Sequence, residues 1–274
     1  MSEIINLKDL NCEDVAIYNS LNENQLKKIY EPNLGLFIAE SPKVIVRALD
    51  AGFEPVSALV EDKLLTGEME EILPRLGDIP IYTSTEDILS RITGFKLTRG
   101  ALCAMRRKEL LSPEDIVKNA RRIVILEDVE NPTNVGAIFR SAAALNIDAV
   151  ILTGGCSDPL YRRAIRVSMG NVFQVPWTFI GDEWYEEGIS VLHKLGFRSA
   201  ALALVDNSVS INDKNLAKEE KLAIIMGTEG EGLRKKTIND SDYVVKIPMS
   251  NGVDSLNVAA ASAVTFWELA AKKS

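Results

Sequence analysis

The sequence predicts an α/β protein built on a parallel sheet, and three observations predict it. Strand-like and helix-like runs alternate along most of the chain. The strand-like runs are rich in Val, Ile, Leu and Ala, as a parallel sheet buried on both faces requires. Three clusters of glycine, asparagine and serine each follow such a run, where open α/β sheets bind their ligands.

The elements come in two series. In residues 35–106, LGLFIAES, PVSALVED, IPIYTS and GALCAMRR read as strands. PKVIVRALDAG reads as a helix with Pro42 at its start and Gly52 at its end. EMEEILPRL and TEDILSRITG also read as helical, and residues 1–34 as a helical lead-in. This places an N-terminal α/β domain at 1–106. The charged, Ser-Pro-containing stretch 107–119 reads as a linker. A second domain, 120–274, opens with the strand RRIVILEDV. It continues NVGAIFRSAAALN (helix), DAVILTGG (strand), PLYRRAIRVSMGNVF (helix), VPWTFIG (strand), EWYEEGISVLHKLG (helix) and RSAALALVD (strand). KLAIIMGTE (strand), LRKKTIND (short helix), YVVKIPM (strand) and the long helix SLNVAAASAVTFWELAAKK complete it.

Composition narrows the chemistry. No apolar run approaches the roughly 20 residues of a membrane span. The acidic, polar start predicts neither a secretory nor a transit peptide, so a cytoplasmic protein is expected. Cys12, Cys103 and Cys156 are scattered without a CxxC pair, which fits reduced thiols and argues against a zinc site. His193 is the only histidine, which removes most Ser-His, Cys-His and His-metal chemistry, so no metal is expected. The net charge of −8 hides an uneven distribution. Residues 1–90 hold 7 Lys/Arg against 17 Asp/Glu, whereas 91–122 hold 9 against 3. Such a basic stripe suits a phosphate-bearing partner as well as a solvated face.

The three clusters carry the chemistry. In the first, Asn131-Pro-Thr-Asn134-Val-Gly136-Ala-Ile-Phe-Arg140, Asn134 is placed to cap a helix and Gly136 allows close approach. The second is MGTEGEGL, residues 226–233, with Gly227, Gly230 and Gly232 interleaved with Glu229 and Glu231. The third runs from Ile247 through Met249 and Ser255 to Asn257. A diphosphate is a poor ligand for glycines flanked by carboxylates.

Taken in order, N-x-x-N-x-G-x-x-x-R, MG-x-EG-x-G and IPM-x-x-x-V-x-SLNV resemble the SpoU/TrmH family of S-adenosylmethionine-dependent RNA 2′-O-ribose methyltransferases, over about residues 120–270. The resemblance implies an α/β fold with a parallel-sheet catalytic domain and a C-terminal trefoil knot of the SPOUT type, an exception to the rule against knots. It implies a small α/β RNA-binding domain before it, although Ala39-Glu-Ser-Pro stands where an apolar-Glu-Gly lead is more usual. By the same carry-over, Gly227, Ile247, Met249 and Leu256, with Thr153 and Gly154, contact S-adenosylmethionine. Asn134, Arg140, Glu229, Ser255 and Asn257 form the catalytic set. Arg162, Arg163 and Arg166 lie at one-turn and near-turn spacing, which suits RNA phosphates as well as a solvated helix face; with Arg106 and Arg107 they are the expected RNA contacts, ribosomal RNA being favoured over tRNA. A homodimer through the second domain is also implied. The last helix adds a physical reason for a partner, since small residues at 259–263 and then Phe266, Trp267 and Leu269 cover more than one helical face, and the face not packed on the sheet needs either the N-terminal domain or a second subunit.

Methyl transfer from a sulfonium to a ribose oxygen needs in-line alignment and loss of the hydroxyl proton. The resemblance casts Arg140 as the base, assisted by a substrate phosphate. A guanidinium scarcely deprotonates, so a second reading makes Arg140 the group that binds the phosphate and polarises the hydroxyl. Two other classes compete: an oxidoreductase using MGTEGEG as a phosphate loop, and a non-catalytic RNA-binding module. The first lacks the glycine fingerprint near the first strand of the second series. The second has no need of Arg140, Glu229, Ser255 and Asn257 together.

Overall fold

The computed structural model of the 274-residue chain describes residues 3–7, 13–19, 21–30, 34–94, 96–97, 99–206, 208–228 and 230–270. The chain divides into two compact units, Met1–Glu109 with Leu160–Gln174, and Leu110–Pro159 with Val175–Ser274.

The first unit holds β1 (Ile4–Asn6), β2 (Leu36–Glu40), β3 (Pro55–Glu61), β4 (Ile81–Ser84) and β5 (Ala101–Arg106), in the order β1-β4-β3-β5-β2. β1, β4 and β3 run parallel, while β5 runs antiparallel to both β3 and β2. Leu36, Ile38, Leu59, Leu89 and Leu102 form part of its core. Two sequence expectations are corrected here. Residues 1–34 are not all helical, because Ile4 and Ile5 pair with Ile81 and Tyr82, a tertiary partnership that local pattern does not reveal. EMEEILPRL is a string of turns ending in the 3₁₀ turn Leu73–Leu76, since Pro74 offers no N–H and disfavours helix before it. Ser41 caps helix Pro42–Asp50 from φ 94°, a conformation that suits glycine better than serine.

The segment 160–174, most of what the sequence reads as one helix over 159–173 of the second series, packs within the first unit. It folds as helix Arg162–Ser168, a left-handed pair at Met169 and Gly170, and the 3₁₀ turn Asn171–Phe173. Arg162 Nε donates to the buried Glu40 carboxylate at 3.0 Å. Arg47 donates to the Met169 carbonyl and to Asn171 Oδ1, each at 2.5 Å. Phe173 closes a three-ring cluster with Phe37 and Phe53.

The second unit carries β6 (Arg122–Glu127), β7 (Ala149–Leu152), β8 (Trp177–Phe179), β9 (Arg198–Leu202), β10 (Val209–Ser210), β11 (Leu222–Gly227) and β12 (Tyr243–Lys246). All pair in parallel, in the order β10-β12-β9-β11-β6-β7-β8, so every C-terminal strand end lies on one edge. Every residue of β6 and β7 is buried, as their apolar runs predict. Ile123, Ile125, Ile151, Phe197 and Ile225 belong to one core. β10 and helix Lys214–Lys218 lie in a stretch without strong periodicity and were not legible in it. The expected linker contains helix Pro113–Val117, capped by Ser112 through a bond from the Asp115 N–H at 3.1 Å. The helix expected at 183–196 breaks at Gly188, whose φ is 61°.

Candidate active site

The first glycine- and asparagine-bearing motif follows β6. Asn131, not Asn134, caps helix Pro132–Ala144, accepting from the Thr133 N–H at 2.9 Å. Pro132 decides this, because its fixed φ suits the first helical position and leaves the cap to the residue before it. Asn134 is instead buried in the first turn. Arg140 lies six residues on, about 240° around the helix. Its side chain is exposed and makes no hydrogen bond or ion pair among the described residues.

The other two motifs build a cleft of about 400 Å³ at the C-terminal ends of β9, β11 and β12. The loop after β11 folds back on itself, with the Gly232 N–H donating to the Thr228 carbonyl at 3.1 Å. A Cβ on Gly227 would stand 2.4 Å from the Gly232 carbonyl carbon, so only glycine fits at 227. The loop after β12 turns at Asn251 and Gly252, both at positive φ, and the Val253 N–H donates to the Ser250 carbonyl. Asn257 then caps helix Val258–Leu269, accepting from the Ala259 N–H at 2.9 Å. Its Nδ2 donates to Asn134 Oδ1 at 3.3 Å. That bond joins the first motif to the third, and the two helices pack against each other. At the far end of the last helix, the buried Arg122 guanidinium donates to the Leu269, Glu220 and Glu219 carbonyls.

Gly227, Ile247, Met249, Ser255 and Leu256 all line the cleft. Thr153 and Gly154 do not line it: Thr153 is fully buried at the end of β7, and its hydroxyl donates to Asp128 at 2.8 Å. Glu229 lies outside the described residues. Sequence reasoning missed Leu202, Lys246 and Asp254 as lining residues, because nothing in their spacing separates them from strand and loop.

A family model of SpoU rRNA methylases matches residues 121–267, over half of the chain. The chain belongs to the SpoU rRNA methylase family. It is 39% identical over 252 residues to an uncharacterized tRNA/rRNA methyltransferase of Mycobacterium bovis, an alignment spanning 92% of this chain and 86% of that one. It is 25% identical to the 23S rRNA (guanosine(2553)-2′-O)-methyltransferase of Bacillus subtilis, over 85% of this chain and 88% of that one. Among solved structures, an AdoMet-bound rRNA methyltransferase from Sinorhizobium meliloti superposes with a TM-score of 0.79 at 23% identity, covering 97% of each chain.

The arginines expected to meet RNA sort differently in this SpoU-family chain. Arg162 is engaged by Glu40. Arg163 and Arg166 are exposed on the same helix, and Arg106 is exposed beside the Tyr30 ring at 5.4 Å. Arg107 is half-buried, with Nε donating to the Leu36 carbonyl at 3.1 Å. His193 is at the surface and hydrogen-bonds Asp242 at 2.8 Å.

Proposed function

We infer that the protein transfers a methyl group from S-adenosylmethionine to a ribose 2′-hydroxyl of structured RNA. The observation that carries this reading is the cleft at the ends of β9, β11 and β12, walled by the second and third SpoU motifs and tied to the first through Asn134 and Asn257. The residues present suit the cofactor. Leu202, Met226, Val245 and Leu256 offer apolar surface to an adenine, and Glu231 and Asp254 place carboxylates where a cation is to be held. Lys246 lines the same cleft and suits the cofactor carboxylate. The cofactor supplies an activated methyl on a sulfonium. Arg140, exposed and free of competing partners among the described residues, binds the phosphate beside the target ribose and polarises its hydroxyl. Asn134 and Asn257 hold the last helix so that Ser255 and Leu256 face the cleft. Calorimetry tests the reading: S-adenosylmethionine binds and NAD does not, and the reverse result overturns it.

The substrate is ribosomal RNA in preference to tRNA, a choice supported by the Bacillus subtilis relative. The first unit grips that RNA through Arg106, Arg163 and Arg166. The C-terminal segment is tied in a trefoil knot, a reading supported by β11 lying between β6 and β9, and β12 between β9 and β10, all placed earlier in the chain except β11 and β12 themselves. Two chains associate through the second unit, where the last helix presents Trp267 at 64% exposure and Val264 at 41%. Light scattering at twice the 30.1 kDa chain mass supports that association, and an active monomer refutes it. The cytoplasm suits the free, buried thiols of Cys103 and Cys156.

A further inference from the structure

We propose that Glu127 and Asp128, two consecutive carboxylates at the end of β6, are positioning residues that set the glycine-loop wall of the cleft by gripping Arg234. The proposal rests on the reading of that cleft as the cofactor site.

Glu127 is 1% exposed, a burial that a carboxylate tolerates only when its oxygens are well supplied with donors. Its Oε1 accepts from the Arg234 backbone N–H at 2.8 Å. Its Oε2 accepts from Trp184 Nε1 at 2.8 Å and from Thr237 Oγ1 at 2.6 Å. In the sheet register, Glu127 stands opposite Gly227. One residue therefore meets both ends of the loop between Gly227 and Arg234, which lines the cleft with Gly227, Gly230, Glu231 and Leu233. Slack at that base would move the whole wall.

Asp128 adds a second hold. It sits at φ 56°, in the left-handed region, directly after the strand. Its Oδ1 accepts from Thr153 Oγ1 at 2.8 Å and from the Tyr185 hydroxyl at 2.7 Å. Its Oδ2 pairs with the Arg234 guanidinium at 3.2 Å, and that guanidinium stacks 3.9 Å from the Tyr185 ring centroid. Backbone and side chain of Arg234 are thus fixed by adjacent carboxylates. Thr153 acts through Asp128. A Cβ on Gly155 would stand 2.4 Å from Asp128 Oδ1, so any larger residue there would displace this carboxylate.

Glutamine can keep its carbonyl oxygen on the Arg234 N–H and turn its NH₂ toward the Thr237 hydroxyl, so the test uses Glu127→Met, which removes both acceptors. The test measures S-adenosylmethionine affinity by calorimetry, and thermal unfolding, on the full chain. Glu127→Met should weaken affinity about tenfold, the scale of one hydrogen bond to a charged group. Trp184→Phe removes a donor from the side of Glu127 away from the loop. It should lower the Tm yet leave affinity within about twofold, because the Arg234 bond survives. Equal affinity losses in the two variants, or wild-type affinity in Glu127→Met, overturn the proposal. Arg234→Pro against Arg234→Ala asks the same question without touching the buried carboxylate. The native φ of −59° suits proline, and the proline variant alone lacks the N–H that Glu127 accepts. The proline variant should bind about tenfold more weakly than the alanine variant, and equal affinities overturn the proposal. A wild-type chain that fails to bind S-adenosylmethionine overturns the reading of the cleft itself.

Discussion

The Asn257 side-chain amide holds two helices at once: its Oδ1 accepts from the Ala259 N–H and its Nδ2 donates to Asn134 Oδ1 at 3.3 Å. Asn257→Ala removes both bonds. The lost cap costs about 1 kcal/mol of stability. The lost bridge frees the segment carrying Ser255 and Leu256, so S-adenosylmethionine affinity should fall as well. Asn257→Asp keeps the cap and loses the donor. Thermal unfolding should therefore place the aspartate variant between the alanine variant and wild type, and an aspartate variant no more stable than the alanine one would deny the cap its share.

Gly227→Ala should disable the cleft from within. The added methyl meets the Gly232 backbone rather than a flexible side chain, so the loop has to unfold locally. Overpacking of this kind costs about 1–3 kcal/mol. Calorimetry should show S-adenosylmethionine affinity reduced more than tenfold, a change of about 1.4 kcal/mol or greater. Unchanged affinity would mean that the loop is not part of the cofactor site.

Arg140→Ala should abolish methyl transfer while cofactor affinity stays within a few-fold of wild type. The side chain is exposed and does not line the cleft. A single-turnover assay with radiolabelled cofactor separates the two effects. Full turnover would remove Arg140 from the mechanism.

Arg162 and Arg166 lie four residues apart on one helix and should respond oppositely. Arg162→Ala leaves the Glu40 carboxylate buried without its partner, a loss of about 3 kcal/mol in stability. Arg166→Ala should leave stability unchanged and weaken RNA binding, lowering the salt slope of log K by about one unit per lost phosphate contact. Filter binding across a salt series reads this, and an unchanged slope would take Arg166 off the RNA surface.

Acid should loosen the second unit through Asp242. Burial alone would raise its pKa. Hydrogen bonds from His193, from the Ser199 N–H and hydroxyl, and from Arg198 outweigh burial and hold the carboxyl well below its ordinary value. A depressed folded-state pKa contributes stability that is present above the unfolded value, about 3.9, and lost as pH falls through the folded value. The Tm should accordingly drop below about pH 5. Asp242→Asn should be less stable at pH 7 and show a flatter acid limb; an acid limb identical to wild type would assign the effect to other groups.

The alternation of apolar strands with helices, and the three motifs at strand ends, were legible in the sequence because each is a local property. The inner part of a buried parallel strand is apolar, as in β6, β7 and β11, and a helix must repeat near every fourth residue. The resemblance assigns Gly227, Ile247, Met249 and Leu256 to the cofactor and Ser255 to the catalytic set, and a common strand direction brings their loops to one edge, where all five line one cleft. What the tertiary structure alone decided depends on partners distant in the chain. β1 is a strand only because β4 accepts it. Arg162 is a structural cation because Glu40, 122 residues away, is buried against it. Glu127 reads in the sequence as one more carboxylate after an apolar run. Its three donors come from 57, 107 and 110 residues further on, and no spacing rule reaches that far. A buried carboxylate is stable only where such donors converge, and their convergence is a property of the folded chain.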